Sequence, residues 1–262
     1  MTMAAIAIIT ICYNNPEELL STCASVDQQQ LLPAEHIIVD GSTDNRIKEY
    51  LQQHPQPPYR MGHTEPDEGI ADAFNKGIQK ATADITLLLN SGDTLYDPTV
   101  LQRVADAFDA QPDLQWLHGQ LELLRGGVWV IVGKPFEASK LYRGMRSTFH
   151  PTMFVKRALY QKHGLFKKEL KMAMDYDFLC RIAHEKNSFI PYPLAHFDPS
   201  GISSQQYLKA MKESYQAYRS YYGYSFKQTL WQWRLTALHY VLQSPIGKAL
   251  YRLKVALGWT NK

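Results

Sequence analysis

Three short apolar runs alternate with helical patterns in the first 90 residues, and this alternation limits the fold more than any other feature. The runs are AIAIITI, HIIVD and ITLLLN, and their length and β-branched content predict strands buried on both faces. The segments between them have helical spacing, as with Ile70, Phe74 and Ile78 at i, i+4 and i+8. Repeated strand–helix–strand units predict an α/β fold with a parallel sheet covered by helices.

Each predicted strand ends in polar residues, in the order YNN, DGSTD and NSGD. Ligands bind at the carboxyl ends of the strands in sheets of this kind. Two of the three ends carry carboxylates, Asp40 and Asp93. Turn chemistry is the alternative for both, because Asp40 fits an Asx-turn before Gly41 and Asp93 fits a type I turn with Gly92.

Four segments, AIITICYNN, HIIVDGSTD, EPDEGIADAFNKGI and LLLNSGD, occur in an order and spacing that resemble the family 2 nucleotide-sugar glycosyltransferases. The likeness is to bacterial members that build exopolysaccharide or lipopolysaccharide sugars, and it covers roughly residues 4–205. It implies a GT-A (Rossmann-like) domain over residues 1–213, with a nucleotide-sugar half at 1–100 and an acceptor half at 101–213. A dinucleotide-binding Rossmann domain is disfavoured, since no G-x-G-x-x-G follows the first strand.

The resemblance also implies which residues contact the donor. These are Thr10, Tyr13, Asp40, Asp67, Asp72, Asn75, Lys76 and Ser91. Asp40 would accept a hydrogen bond from a nucleotide base or ribose, and Lys76 would meet a phosphate. Asp72 and Asn75 would contact a ribose or sugar hydroxyl. Because Asp72 and Lys76 stand at i and i+4, a plain surface ion pair is the alternative for these two.

Asp93 is the predicted metal ligand. The family pattern at this place is Asp-x-Asp, whose last carboxylate holds a divalent ion against the diphosphate. Here the segment is NSGD, so Asn90 stands in place of the first acid. One carboxylate with phosphate oxygens and waters is still an acceptable shell for Mn²⁺ or Mg²⁺.

Asp175, in the segment LKMAMDYDFLC, is the predicted catalytic base. It matches the acid of the family segment that runs from an acidic pair through an aromatic residue to Arg181, with Met174 where a first acid often stands. An inverting transferase needs such a carboxylate to take the proton of the acceptor hydroxyl. Asp177 is the local competitor, and capping of the helix is an alternative role for Asp175.

Two histidines and two tryptophans complete the candidates. His150 and His196 each suit contact with a phosphate, a metal or the acceptor, although lone histidines are more often structural. Tyr13, Trp116 and Trp129 have rings that stack on bases or sugars, and for the tryptophans core packing is favoured. WLHGQLELLRGGVWVIVGKPF predicts a hairpin that turns at Gly126-Gly127.

The C-terminal segment from Ser214 has seven Lys or Arg side chains and no acid, although the whole chain has a net charge of only +3. Four apolar residues near its end share one helical face: Ile246, Leu250, Leu253 and Leu257. We therefore expect residues 214–262 to form a basic aromatic helical tail that contacts a membrane surface bearing a lipid-linked acceptor. Docking on the catalytic domain or on a second subunit is the alternative.

The composition also limits partners and location. MTMAAIAIITICYNN lacks the features of a signal peptide, and the three cysteines form no CxxC pair, so we expect a cytoplasmic protein, peripheral at the inner face of the membrane. No nucleic-acid-binding module is recognisable. The function expected is therefore an inverting glycosyltransferase with a divalent cation. A catalytically weak nucleotide-sugar binder of the same fold, acting in an assembly complex, is the alternative.

Overall fold

The apolar runs of the N-terminal half form parallel strands in the computed structural model of the chain, which describes residues 4–125, 127–197, 206–245 and 247. Strands β1 (Ile6–Cys12), β2 (Glu35–Asp40) and β4 (Ile85–Leu88) coincide with the three predicted strands. Strand β3 (Arg60–Thr64) is an addition to the predicted set, because its sequence RMGHT is largely polar and it lies at the edge of the sheet. The order β3-β2-β1-β4 is parallel throughout.

Helices cover both faces of this parallel sheet. They are α1 (Pro16–Asp27), α2 (Arg46–Gln53), α3 (Ile70–Lys80) and α4 (Val100–Ala110). Neighbouring residues of β1 enter opposite layers: Ile9 packs in the core that includes Phe74 of α3, and Ile8 in the core that includes Val104 of α4. The α/β fold predicted from the alternation is therefore confirmed.

The second half of the chain extends the same sheet with both strand directions. Its strands are β5 (Thr94–Leu95), β6 (Trp116–Arg125), β7 (Val128–Val132), β8 (Phe154–Lys156) and β9 (Asn187–Phe197). The order continues β4-β8-β6-β9-β5, with β7 paired to β6. β6 and β9 are parallel and the other contacts of this half are antiparallel. The described sheet thus has four parallel and four antiparallel strand pairs, and most of its paired residues belong to the longer, parallel pairs.

The predicted hairpin is present as the β6–β7 pair. Arg125 lies opposite Val128, and Gly127 in the turn has a φ of 82°, a conformation that favours glycine. Gly126 lies outside the described residues. Trp116 on β6 is fully buried, as expected, whereas Trp129 on β7 is exposed, so core packing was the wrong expectation for Trp129.

Helix α3 approaches the sheet closely at Gly77. A Cβ on Gly77 would lie 2.2 Å from Cγ2 of Ile9 and 3.4 Å from Cγ2 of Val39. Glycine is disfavoured in helix interiors, so its presence at position 77 has a packing reason. The close approach fixes α3, and with it the loop that precedes α3, against β1 and β2.

The remaining helices lie after the first half of the chain. They are α5 (Arg157–His163), α6 (Met174–Ile182), α7 (Tyr207–Tyr222) and α8 (Phe226–Gln243), with short 3₁₀ helices at Ala138–Arg143 and His150–Thr152. The predicted domain boundary at residues 213/214 falls inside α7. The first residues of the predicted tail therefore continue a helix that begins before the boundary.

Contacts of α7 with α6 and with the segment before it join the start of the predicted tail to the preceding part of the chain. Glu213 Oε2 accepts hydrogen bonds from the backbone N–H groups of Lys171, Met172 and Ala173, at 3.1, 2.9 and 3.2 Å, just before α6 begins. Ala217 of α7 is buried in the core cluster that contains α6. For this part of the tail the structure favours docking on the catalytic domain over a free membrane segment.

The amphipathic pattern at the end of the chain lies outside the described residues, which include none of Ile246, Leu250, Leu253 and Leu257. Among the helices that the structure describes, none is long and apolar enough to cross a bilayer.

Candidate functional site

The three polar strand ends meet at one edge of the sheet. The backbone N–H of Asn14, after β1, donates to Ser42 Oγ after β2 at 2.8 Å. The side chain of Asn15 donates to Ser91 Oγ in the turn after β4 at 2.5 Å. Asn14 has a φ of 56°, in the left-handed region that Asn tolerates better than most residues. The predicted convergence of the strand ends is therefore found.

Asp40 is fully buried at the end of β2, and both of its oxygens are engaged. Oδ1 accepts from the Ser42 N–H at 3.0 Å, which is the Asx-turn alternative, and Oδ2 accepts from Thr64 Oγ1 at 3.1 Å. Thr10 is also fully buried, and its hydroxyl pairs with His36 Nε2 at 3.0 Å. The structure thus turns Thr10 away from the donor side, which corrects the expectation of a side-chain contact there.

Asp67 and Tyr13 lie on the accessible side of the same edge. The Asp67 carboxylate packs directly on Gly41, where a Cβ would come within 1.8 Å of Asp67 Oδ2, so a side chain at position 41 would displace that carboxylate. Its Oδ1 accepts from the Gly69 N–H at 2.8 Å. Tyr13 is 59% exposed just beyond β1 and offers its ring to a planar ligand.

The charged residues of α3 form ion pairs within the helix and with Lys168. Asp72 pairs with Lys168 Nζ at 2.7 Å and with Lys76 Nζ at 3.4 Å. The hydrogen bond from Lys168 is the main reason that the pKa of Asp72 lies below its ordinary value. The i,i+4 pair proposed as the alternative is thus present. Asn75 is buried and exchanges two hydrogen bonds with the backbone of Phe166, at 2.8 and 2.9 Å. This structural role corrects the expectation that Asn75 contacts a sugar.

Helix α1 fixes the NSGD turn. The Asp93 N–H donates to the Asn90 carbonyl at 3.1 Å, and Gly92 has a φ of 99°, so the turn resembles type II rather than the expected type I. Thr22 Oγ1 accepts from the Gly92 N–H and donates to the Asp93 carbonyl, at 3.0 and 2.8 Å. Asp93 is only 2% exposed, which places a carboxylate deep at this edge.

His150 lies between the predicted metal ligand, Asp93, and the predicted base, Asp175. Its Nε2 is 3.0 Å from Asn90 Nδ2 and 4.0 Å from Asp93 Oδ2, while its Nδ1 is 3.9 Å from Asp175 Oδ2. Because the Asn90 amide group donates to Nε2, the imidazole proton belongs on Nδ1, toward Asp175. Burial lowers the pKa of His150 to about 4, so the ring is neutral near pH 7. The neutral ring therefore adds no positive charge beside either carboxylate.

Asp175 lines a cavity beside His150. This cavity has a volume of about 270 Å³ and is lined by apolar residues together with Asn90, Thr148, His150, Lys171 and Asp175. Asp175 is the second residue of α6, after an N-cap at Ala173, and its Oδ1 accepts from the Tyr176 N–H at 2.7 Å, so the carboxylate also satisfies an amide of the first turn. Its side chain is 28% exposed, and burial raises its pKa to about 6.

Asp177 has a different environment. It is fully buried and pairs with Lys167 Nζ at 3.0 Å and with Arg181 Nε at 3.1 Å. The Tyr221 hydroxyl of α7 also donates to it, at 3.0 Å. With its oxygens committed to this network, Asp177 holds α6 in place, whereas Asp175 lines the cavity.

The residues at the NSGD turn fit a divalent ion only with help from a substrate. Among the residues that the structure describes, no three His, Cys, Asp or Glu side chains converge into a closed metal cage. Asn90 Oδ1 is nevertheless buried without a hydrogen-bond partner, beside the buried Asp93 carboxylate. These oxygens are of the type that Mn²⁺ and Mg²⁺ prefer, and a diphosphate and waters would complete the shell.

His196 lies near this turn, on β9. It pairs in the sheet with Thr94, the residue after Asp93, and its Nδ1 is 2.8 Å from Glu122 Oε2. Its Nε2 is 3.3 Å from the Tyr96 carbonyl. The structure also adds Lys171 and Glu213, which the sequence did not single out, because their positions depend on contacts across 40 residues or more.

Comparisons with known proteins agree with this architecture. Residues 7–164 match the model of glycosyl transferase family 2. An uncharacterized glycosyltransferase of Mycobacterium tuberculosis is 29% identical over 216 residues, which cover 79% of this chain and 80% of that protein. A PGL/p-HBAD biosynthesis glycosyltransferase of Mycobacterium bovis is 28% identical over 171 residues, covering 64% of this chain and 65% of that protein.

Solved structures share the fold at low identity. S. aureus TarS 1–349 in complex with UDP-GlcNAc superposes with a TM-score of 0.62 at 16% identity, covering 87% of this chain and 70% of that one. The mannosyltransferase PcManGT of Pyrobaculum calidifontis, in complex with GDP-Man and Mn²⁺, superposes with a TM-score of 0.60 at 15% identity, covering 97% of this chain and 80% of that one. The family model spans more than half of the chain, and these neighbours have the GT-A fold. The chain therefore belongs to glycosyl transferase family 2 and is a GT-A glycosyltransferase.

Proposed function

We propose that the protein is an inverting glycosyltransferase that moves a sugar from a nucleoside-diphosphate sugar to a hydroxyl of a glycan or lipid-linked acceptor. The observation that carries this proposal is the arrangement around His150, with Asp93 4.0 Å from one ring nitrogen and Asp175 3.9 Å from the other. A carboxylate suited to the leaving group and a carboxylate suited to the attacking group thus flank one neutral side chain, which lines a cavity together with Asp175.

Asp175 is the base in this mechanism. Its carboxylate takes the proton of the acceptor hydroxyl as the oxygen attacks C1 of the sugar from the face opposite the diphosphate, which inverts C1. A base works best when its pKa is close to the working pH, and burial raises the pKa of Asp175 to about 6. His150 stays neutral and does not compensate the negative charge that the base needs.

The donor occupies the edge formed by the strand ends. Tyr13, Asp67 and Ser91 line its accessible side, and Asp40 supports it from beneath through Ser42. Asp93 and Asn90 Oδ1 would hold the divalent ion, which supplies positive charge against the departing diphosphate. Solved neighbours of the same fold contain UDP-GlcNAc or GDP-Man, which supports a nucleotide-sugar donor.

Lys76 and Asp72 act at the margin of the donor site. Lys76 Nζ lies 3.4 Å from Asp72, 3.8 Å from Glu65 Oε2, and near the Pro66 carbonyl, in the loop that carries Asp67. Their pairing positions that loop. A donor phosphate would draw Lys76 away from Asp72, which keeps Lys168 as a partner.

The biological setting that fits best is the synthesis of a cell-surface polysaccharide or glycolipid at the inner face of the membrane. A relative is named as a PGL/p-HBAD biosynthesis glycosyltransferase, which supports a role in a biosynthetic pathway. The basic segment after Ser214 supports attraction to anionic lipid. An exopolysaccharide or lipopolysaccharide is the product class proposed.

One observation favours a second candidate, a catalytically weak nucleotide-sugar binder in an assembly complex. Asn90 stands where the family pattern has an acid, and the described residues form no closed metal cage. Such a protein would bind donor without turning it over.

Screening separates the two candidates. The purified full chain is mixed with a panel of UDP-, GDP- and dTDP-sugars in Mn²⁺, and both donor binding and slow donor hydrolysis are measured. A transferase hydrolyses its own donor, and Asp93→Asn removes both binding and hydrolysis. Binding without hydrolysis or transfer to any glycan supports the weak binder, and the absence of any donor binding refutes both.

A further inference from the structure

A second cavity, of about 290 Å³, adjoins the catalytic one. Met145, Met172 and Asp175 line both cavities, so an acceptor in the second cavity would reach the base in the first. One wall is the segment from Tyr142 to Arg146, and the other is built by α7 and α8. The C-terminal helices are thus part of a cavity that ends at the proposed base.

Two arginines give this cavity its charge. The guanidinium carbon of Arg143 lies 5.3 Å from the ring centroid of Tyr142 and 5.2 Å from that of Trp231. The Arg143 carbonyl accepts from Trp231 Nε1 at 3.2 Å. Arg146 is exposed and reaches Tyr207 Oη at 3.5 Å. Neither forms an ion pair with an acid among the residues that the structure describes. An arginine held by aromatic rings without a counter-ion is suited to bind phosphate.

Gln228 of α8 supplies an independent observation. It lines the same cavity, it is only 1% exposed, and its Oε1 is buried without a hydrogen-bond partner. Its Nε2 is already used, donating to the Tyr215 carbonyl at 3.3 Å. A buried acceptor atom without a donor is costly, so this oxygen calls for a hydroxyl or N–H from a ligand. A phosphate dianion has no such donor, but a sugar has several.

We propose that this cavity is the acceptor subsite and that it takes a sugar phosphate or a sugar linked through a phosphate ester. Arg143 and Arg146 bind the phosphate, Gln228 Oε1 accepts from a sugar hydroxyl, and another hydroxyl faces Asp175. This inference rests on the proposed transferase function and adds the chemical class of the acceptor. It also gives the C-terminal helices a direct role in acceptor choice.

Calorimetry on the full chain, saturated with UDP and Mn²⁺ so that the donor site is filled, tests the subsite. The probes are glucose 1-phosphate and its uncharged analogue methyl glucoside. We expect glucose 1-phosphate to bind at least about tenfold more tightly, since charge-assisted hydrogen bonds contribute more than neutral ones. Equal affinity for the two probes would overturn the phosphate assignment.

Variants assign the contacts. Arg143→Ala and Arg146→Ala should each weaken glucose 1-phosphate about tenfold and leave methyl glucoside unchanged, whereas Gln228→Met should weaken both probes. Arg219→Ala is the matched control, because Arg219 is on α7 and its guanidinium lies over the rings of Tyr215 and Tyr224, and Arg219 is not among the residues that line the cavity. If Arg146→Ala, which disturbs no buried contact, binds glucose 1-phosphate as the parent does, the subsite is refuted.

A further arm separates a lipid-linked acceptor from a soluble one. Dodecyl-phosphate-linked glucose in phosphatidylcholine vesicles is compared with free glucose 1-phosphate. Loss of binding to both in the arginine variants supports the subsite, and tighter binding of the vesicle form identifies the lipid-linked source. If the variants lose only vesicle binding, the arginines contact the bilayer and the subsite is refuted. Failure of the parent protein to bind UDP would instead reject the proposed function.

Discussion

The substitution Asp175→Asn is expected to make the protein more stable at neutral pH while removing its activity. This combination arises because Asp175 is largely buried without an ion pair to Lys or Arg among the described residues, next to a neutral His150. Burial raises the pKa of its carboxyl to about 6, from an ordinary value of 3.8. The folded state therefore tolerates the ionised form poorly, yet the proposed chemistry requires it.

The activity arm follows from the base being needed in its ionised form. In the parent enzyme kcat/KM should be flat above pH 7 and fall below pH 6, reaching about one-tenth of the plateau at pH 5. Asp175→Asn should lower transfer by at least about 10²-fold, the low end for loss of a general base. Donor affinity should persist, because Asp175 faces the acceptor side of the cavity.

The free energy of unfolding should depend on pH in the opposite direction to the activity. A carboxyl whose pKa is raised on folding binds protons more tightly in the folded state, so stability falls as pH rises from 4 through 6 and stays low above it. At about 1.4 kcal/mol per pH unit between the two pKa values, ionised Asp175 costs up to about 3 kcal/mol. Urea unfolding at pH 8 should find the Asn variant more stable by about 1–3 kcal/mol, with a difference that shrinks toward pH 4.

Asp177→Asn is the control for both arms. Asp177 is fully buried between Lys167 and Arg181, so its replacement leaves buried positive charge uncompensated and should cost about 3 kcal/mol or more. The reasoning about Asp175 is refuted if its Asn variant is less stable at pH 8 than the parent. It is also refuted if that variant transfers sugar at the parental rate.

Four further predictions concern other parts of the molecule. Asp93→Asn should weaken Mn²⁺-dependent donor binding, measured by calorimetry, without changing the unfolding midpoint; unchanged affinity would make Asp93 a turn residue only. Gly77→Ala should destabilise the protein by about 1–3 kcal/mol in urea, despite better helix propensity, because its Cβ would meet Ile9 at 2.2 Å. NMR titration should show His150 unprotonated down to pH 5, since burial lowers its pKa to about 4; titration near 6.5 would contradict this. Vesicles of anionic lipid should sediment the full chain, less so in high salt, and neutral vesicles should retain less; equal retention would rule out a charge-driven contact.

The sequence was sufficient for the strand and helix pattern because the periodicity depends only on local burial. The same pattern predicted that Asn14, Ser42 and Ser91 would lie together, since parallel strands end at one edge. It did not predict β3, whose pairing with β2 rather than its composition makes it a strand. Side-chain direction was the main source of error.

The errors at particular residues have one physical origin. Asn75 binds the backbone of Phe166, 91 residues further along the chain, and Thr10 binds His36 on the next strand. A local motif cannot reveal such partners. Likewise Asp175 and Asp177 are two positions apart on one helix, and only the packing of α6 decides which of them faces the cavity.

The bond from Glu213 to the start of α6 has a consequence for how the protein is made. The N-terminal part of a chain emerges from the ribosome first. The donor edge is complete once β4 and its turn have emerged, but the segment before α6 lacks its carboxylate partner until Glu213 follows, and Asp177 lacks Tyr221. We therefore expect the nascent protein to acquire donor binding first and a correctly placed base last, so that an unfinished chain can hold an activated sugar without transferring it.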